Sequence, residues 1–323
     1  MKILIIGAAG MVGQKFVARL CADAELGGQA IDALRLYDIV PPELPDARFP
    51  VETGAGDLSV PGEAERLVAD RPDVIFHLAA VVSGEAETDF DKGYRINLEG
   101  TQRLFEAVRA LQYMPRLVFS SSIAVFGAPF PEKIGDEFLS APLSSYGTQK
   151  ACCELLLADY SRKGFFDGLA IRLPTVVVRP GRPNKAASGF FSNILREPLA
   201  GKEAVLPVSR DVRHWLVSPR TAAGFLVHAA TIDTQAVGPR RALTMPGVSV
   251  TVAEMIAALD RVAGENRSAL IREAPDELVD RLVSGWPRDF NAERATKLGF
   301  VADGSIDEII RIHIDEEMGG KLG

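Results

Sequence analysis

The opening stretch KILIIGAAGMVGQKFVARLCAD, residues 2–23, constrains the fold more than any other part of the chain. The aliphatic run Lys2–Ile6 has the make-up of a buried strand and stops at Gly7. Val12, Phe16, Val17 and Leu20 then recur on one face at helical spacing, so residues 11–23 read as a helix. Between strand and helix stand Gly7, Gly10 and Gly13. In such a junction the first glycine permits a tight turn, the second lets the backbone approach a pyrophosphate, and the third lets helix and strand pack closely. Unpaired N–H groups at the helix start then face negative phosphates. This predicts a dinucleotide laid on Gly7, Ala9, Gly10, Met11, Val12 and Gly13.

The same alternation continues. Strands are expected over 33–39, 51–58, 73–81 and 116–127, and a strand leading into a loop over 168–181. Helices are expected over 61–70, 86–111 and 146–164. Strand and helix in turn predict an α/β protein, with a Rossmann-type doubly wound parallel sheet over residues 1–180. From about residue 182 the text is richer in Gly, Pro, Ser and Asn, and the elements shorten. Residues 181–323 are expected to form a smaller, mainly substrate-binding portion, with some elements returning to the first part.

Bulk properties exclude several classes. A formal net charge of −7 argues against a nucleic-acid binder, which needs clustered Lys and Arg. No apolar run approaches the roughly 20 residues that span a bilayer. Cys21, Cys152 and Cys153 contain no CxxC and suit a reducing, cytoplasmic setting. The four histidines, His77, His214, His228 and His313, show no metal-ligand spacing, so no metal site is expected.

Asp38 ends the second predicted strand, where a carboxylate accepts from adenosine ribose hydroxyls and repels a 2′-phosphate. The expected cofactor is therefore NAD rather than NADP. Asp57 and Leu58 follow the third strand, at a place where an adenine amino group can be met. Leu78, Ala79 and Ala80 end the fourth with small or apolar side chains that let a cofactor cross the sheet edge.

Tyr146 and Lys150, four apart, meet on one helix face. An ammonium beside a phenol favours phenolate, and the positive ring of an oxidised nicotinamide pushes the same way, so Tyr146 is expected to act as a base. Lys150 can also bond the nicotinamide ribose. The preceding strand ends in Ser120, Ser121 and Ser122, hydroxyls placed to hold a reacting oxygen.

The marks GAAGMVG, YD, GDL, HLAA, RINLEGT, VFSSSIAVFG and YGTQK together resemble the extended branch of the short-chain dehydrogenase/reductase superfamily, over residues 1–180. That resemblance implies Ser122 as the hydroxyl on substrate, with Ile123 beside it, and Asn97 as support for a helix and a water-mediated proton path. It places Leu173, Pro174, Thr175 and Val176 against the nicotinamide carboxamide. Phe126 replaces a tyrosine usual in the branch, which removes a polar group near the substrate. The second half lacks the aspartate of the sugar-nucleotide pattern RDxxHVxD, reading RDVRHWLV instead, and the loop after residue 179 also differs. It is similar to branch members that oxidise carbon 2 of a four-carbon sugar acid with NAD. Such a substrate needs a carboxylate clamp; Arg213 is the first candidate and Arg179 the second. Ser188, Gly189, Phe190 and Asn193 are expected to close over the substrate, and Ser83 to meet one of its hydroxyls. The resemblance also implies a homodimer. Two alternatives are a nucleotide-sugar epimerase or dehydratase, and a non-catalytic NAD-binding scaffold.

Overall fold

A computed structural model describes residues 1–181 and 188–323, the side chain of Leu278 apart; part of the loop expected to flank the substrate, residues 182–187, lies outside them. The first strand, β1 (Lys2–Ile6), is buried on both faces. Ile3 and Ile5 pack with Phe16 and Leu20 of helix α1 (Met11–Asp23). Leu4 and Ile6 pack on the opposite side, with Leu104, Phe105 and Val108. A strand covered on both sides must be apolar at every position, which is why this run does not alternate.

The chain continues through β2 (Ala33–Asp38), β3 (Val51–Ala55), α2 (Glu63–Val68), β4 (Val74–His77), α3 (Ser83–Thr88), α4 (Thr101–Leu111), β5 (Arg116–Ser122), α5 (Ser145–Arg162) and β6 (Asp167–Leu173). After β7 (Thr175–Val176) come α6 (Gly189–Leu199), β8 (Arg213–Val217), α7 (Pro219–Thr231), β9 (Ala242–Thr244), β10 (Val248–Thr251) and α8 (Val252–Ala263). The main sheet has seven parallel strands in the order β9-β6-β5-β4-β1-β2-β3. The strand order reverses about β1, so the crevice between the carboxyl ends of β1 and β4 is the place where such folds bind ligands. A second sheet runs β7-β8-β10 and rests on its own core, which includes Val178, Phe191, Leu195, Met255 and Ile310. Residues after 181 also serve the main sheet: β9 is its edge strand, and α7 puts Ala222, Phe225 and Leu226 into the core shared with α1.

Several boundaries differ from the sequence expectations, each for a local reason. The fourth strand stops at His77 because the N–H groups of Leu78 and Ala79 both turn back to the Ile6 carbonyl, at 2.7 and 3.0 Å. The expected single helix over 86–111 is broken. Asp89 leaves helical geometry and caps a short turn at Lys92 N, and residues Tyr94–Gly100 form a π-helical segment before α4. The strand within 116–127 ends in its serines as expected, at Ser122, whose hydroxyl accepts from Ala124 N and opens a 3₁₀ turn. The strand expected to lead into a loop over 168–181 ends at Leu173, before Pro174, which has no N–H to donate, and the chain then adds a short strand to the second sheet. Among the described residues no helix is long and apolar enough to cross a membrane.

Candidate active site

The glycine loop lies at the reversal point. A Cβ on Gly7 would fall 2.4 Å from Ala79 N, so only glycine lets the ends of β1 and β4 meet. A Cβ on Gly13 would lie 2.2 Å from the Gly7 carbonyl, so this residue sets the close approach of α1. Gly10 is exposed; a Cβ there would meet only the Gly7 carbonyl, at 3.3 Å. It caps α1 without a side chain, so the N–H groups of the first turn stay available. Asp38 Oδ2 accepts from Ala9 N at 2.9 Å, and Oδ1 from Ile39 N at 2.6 Å. Each oxygen keeps a lone pair for a ribose hydroxyl. An open glycine cradle, free donors at a helix start and a held carboxylate fit NAD.

Other cofactor expectations fare differently. Asp57 pairs with Arg95 at 2.6 Å and accepts from the backbone N–H and hydroxyl of Ser59, which together hold its carboxyl below the usual range despite burial. Those partners engage both its oxygens. Leu58 is core, in a cluster with Leu67 and Phe105. Leu78, Ala79 and Ala80 are half-buried at the β4 end. Asn97 sits in the π-helical segment and is buried. Its amide accepts from Val81 N (2.8 Å) and donates to Val81 O (3.1 Å) and to Gln149 Oε1 (2.7 Å). It thereby ties the β4 turn to α5.

Tyr146 enters on the first turn of α5, capped by Ser144. Its phenol end is enclosed, and burial pushes it up to about 12, against lowering by the Ser122 hydroxyl bond and the Arg179 charge. This corrects the expectation that Lys150 makes the phenol acidic. Lys150 does stand next to the tyrosine, 5.7 Å from its ring centroid. Its Nζ, however, lies over Phe119 at 4.5 Å and donates to the Ser120 carbonyl at 2.8 Å. Burial lowers Lys150 itself to about 8, against the pull of Cys153 and Glu154. Beneath them Arg172 and Glu154 form a buried two-point ion pair, Nε–Oε1 2.9 Å and Nη2–Oε2 2.7 Å.

The two arginine candidates part company. Arg213 donates to the Ser249 carbonyl and pairs with Glu254 at 3.5 Å, with 38% of its side chain exposed. Arg179 donates from Nε to the Val176 carbonyl (3.0 Å) and from Nη2 to Ser188 Oγ (2.8 Å). Among the described residues it has no carboxylate at ion-pair distance, and burial lowers its pKa even though the nearby Tyr146 opposes this. Ser188 and Asn193, expected to close over the substrate, instead accept from Arg179 and Arg196. Gly189 is buried, and Phe190 belongs to the second core. Ile123 and Phe126 are core too, and Arg172 lies over the Phe126 ring at 4.8 Å. Ser83 opens α3, half-buried. Leu173 pairs in register with Ser122; Pro174 and Val176 are buried, and Thr175 is half-buried.

Sequence reading missed two buried residues here. Gln149 holds Asn97, and its Nε2 has no partner among the described residues. His214 bonds Thr175 and the Pro287 carbonyl. The position of Gln149 beside Lys150 on a catalytic helix is the one signal that marks it in sequence. His214 is the histidine of the RDxxHVxD comparison, but its partners are distant along the chain and spacing does not reveal them. Among the described residues no group of His, Cys, Asp and Glu is arranged to hold a metal ion.

Comparison with known proteins agrees with this layout. Residues 3–238 match the NAD dependent epimerase/dehydratase family. The chain is 47% identical to D-erythronate dehydrogenase of Cupriavidus necator, over 98% of each chain. It is 42% identical to D-erythronate dehydrogenase of Haemophilus influenzae, over 98% of this chain and 100% of that one. A crystal structure described as a nucleoside-diphosphate-sugar epimerase from Agrobacterium tumefaciens is 61% identical, with a TM-score of 0.98, over 100% of this chain and 96% of that one.

Proposed function

The chain belongs to the NAD dependent epimerase/dehydratase family, and from that premise we propose that it oxidises the 2-hydroxyl of a small sugar acid, converting D-erythronate to 2-dehydro-D-erythronate. It is an NAD-dependent oxidoreductase acting on a small molecule. The observation that carries the choice of substrate is Arg179, an enclosed cation without a carboxylate partner among the described residues, close enough to Tyr146 to act on its phenol. A carboxylate next to the reacting hydroxyl supplies the missing charge.

The chain's own groups then divide the work. Arg179 takes the carboxylate through the guanidinium N–H groups that have no partner among the described residues. Ser122 and Tyr146 flank the 2-hydroxyl, and Tyr146 removes its proton as the carbonyl forms. NAD held there would supply the acceptor for the hydride that leaves carbon 2. Gly7 to Gly13 and Asp38 would hold the pyrophosphate and the adenosine ribose, and Lys150 the nicotinamide ribose. Asn97 keeps the β4 turn and α5 in register. The phenol must lose a proton for oxidation, and its value is raised to about 12, so kcat/KM for oxidation rises with pH through the alkaline range. The reverse reduction prefers the protonated phenol and lower pH.

Residues 1–180 carry the cofactor and the base in this reading; 181–323 mainly shape the substrate side. A cytoplasmic homodimer is the proposed assembly, supported by Leu155, which stands 73% exposed on α5.

The Agrobacterium neighbour supports a second reading, a nucleotide-sugar epimerase, which returns the hydride to its substrate. Incubation with NAD and D-erythronate, and separately with UDP-sugars, separates the two by NADH absorbance and product analysis. Net NADH with D-erythronate is the expected result. Epimerised sugar without net NADH would replace it with the second reading, and cofactor binding without turnover would leave a scaffold.

A further inference from the structure

His214 is a buried residue that the reaction above does not use. Its ring is stacked on Phe191, with centroids 4.9 Å apart and planes 3° from parallel, and Trp286 lies 5.5 Å away. Nδ1 is 3.0 Å from the Pro287 carbonyl, and Nε2 is 2.7 Å from Thr175 Oγ. A carbonyl can only accept, so Nδ1 carries the ring proton. The neutral ring then presents a lone pair at Nε2, and the Thr175 hydroxyl donates to it. With its proton committed, Thr175 Oγ offers any further partner lone pairs alone.

The location of that oxygen matters. Thr175 follows Leu173, which is paired in register with Ser122. It precedes Val176, whose carbonyl holds Arg179 Nε. Along the chain Thr175 thus lies between the register partner of Ser122 and the carbonyl that holds Arg179, half-buried where His214 is closed off. Three substituents of the reacting carbon are accounted for by the carboxylate, the hydroxyl and the departing hydrogen. The fourth is the rest of the carbon chain.

We propose, resting on the sugar-acid reading, that Thr175 Oγ is a specificity-determining acceptor for a hydroxyl on the chain beyond carbon 2, with His214 as the positioning residue that makes it an acceptor only. A hydroxyl donor completes the pair. An alkyl group at the same place leaves a desolvated oxygen unpaired, which is the costly case. The site thus selects polyhydroxy acids over 2-hydroxy acids that lack the further hydroxyl.

The test measures kcat and KM for D-erythronate and for its 3-deoxy and 4-deoxy counterparts, and NAD affinity by calorimetry. The unaltered protein should prefer D-erythronate to at least one deoxy acid by about tenfold or more. Thr175→Val keeps the backbone expected to meet the nicotinamide, so it should erase that preference through KM and leave NAD affinity within about twofold, and Thr175→Ser should restore it. His214→Phe keeps a ring beside Phe191 but frees the hydroxyl to turn, so it should shrink the preference without changing NAD affinity. A preference that survives Thr175→Val overturns the proposal while D-erythronate turnover stands. So does a loss of NAD affinity in that variant with the preference kept, because the oxygen would then face the cofactor. Failure of the unaltered protein to oxidise D-erythronate overturns both the proposal and the reading beneath it.

Discussion

Replacing Arg179 by methionine isolates the carboxylate clamp. In the free protein this guanidinium makes two hydrogen bonds, to the Val176 carbonyl and Ser188 Oγ, and faces no carboxylate among the described residues. In the proposed reading, the substrate acid completes its pairing. Truncating one side of a buried, hydrogen-bonded charge pair costs about 2–5 kcal/mol. That is about 30-fold to several thousandfold in KM for D-erythronate. The same charge holds the Tyr146 phenol down, so its removal should also move the alkaline limb of the oxidation profile to higher pH. Initial rates of NADH formation across substrate concentration and pH read both effects, and NAD affinity, measured separately, should not change. Arg213→Ala is the matched comparison. Its partner Glu254 is 3.5 Å away at the surface, and exposed pairs are worth about 1 kcal/mol or less, so KM should shift by no more than about fivefold. A KM for Arg179→Met within about threefold of the unaltered protein would refute the assignment. A large effect from Arg213→Ala would transfer the role to it.

Other perturbations read other parts of the site. Tyr146→Phe should lower kcat by about 100- to 10,000-fold and spare NAD binding; retained turnover would remove the phenol as the base. Asp38→Ala strips the acceptor held by Ala9 N and Ile39 N, so NAD affinity should weaken about tenfold or more and the NAD/NADP preference narrow; an unchanged ratio would sink that assignment. Glu154→Gln leaves the Arg172 guanidinium buried without its counter-charge and should destabilise the fold by about 3 kcal/mol or more in denaturant titration. Burial lowers His77 to about 3, and His214 and His313 to about 4. The unfolded chain takes up these protons near pH 6.5 and the folded chain only below about 4, so stability is full above that range and falls as pH drops through it. Thermal unfolding followed from pH 7 to 4 should show the loss, and a flat profile would contradict it.

Local chemistry was the part of this fold open to reading from sequence. Strand 2–6 and helix 11–23 stand where the periodicity puts them, because their faces are set by residues a few positions apart. The break at Asp89 and the π-helical segment were not visible, since Asn97 distorts that helix by reaching Val81 and Gln149, contacts that spacing along one helix cannot reveal. The Tyr146–Lys150 neighbourhood was legible, but the direction of the amine was not: Ser120 on the adjoining strand turns it aside. What separates Arg213 from Arg179 was hidden in the same way, because it is an acid contributed to Arg213 by a distant segment. Phe190 and Leu58 carry the residue types of both core and cleft, and burial decides between them.

The edge strand β9 arises after the chain has already visited the second sheet, and the chain leaves again for β10 directly afterwards. The substrate-side portion is thus an excursion stitched to the frame at an intermediate point, not a terminal appendage. Cutting the chain near residue 181 would strip the parent sheet of a margin strand as well as removing the excursion, so neither piece should survive alone as a folded unit. Hinge-like swinging of the whole portion is restrained for the same reason, and ligand entry must rely on smaller local movements around the crevice.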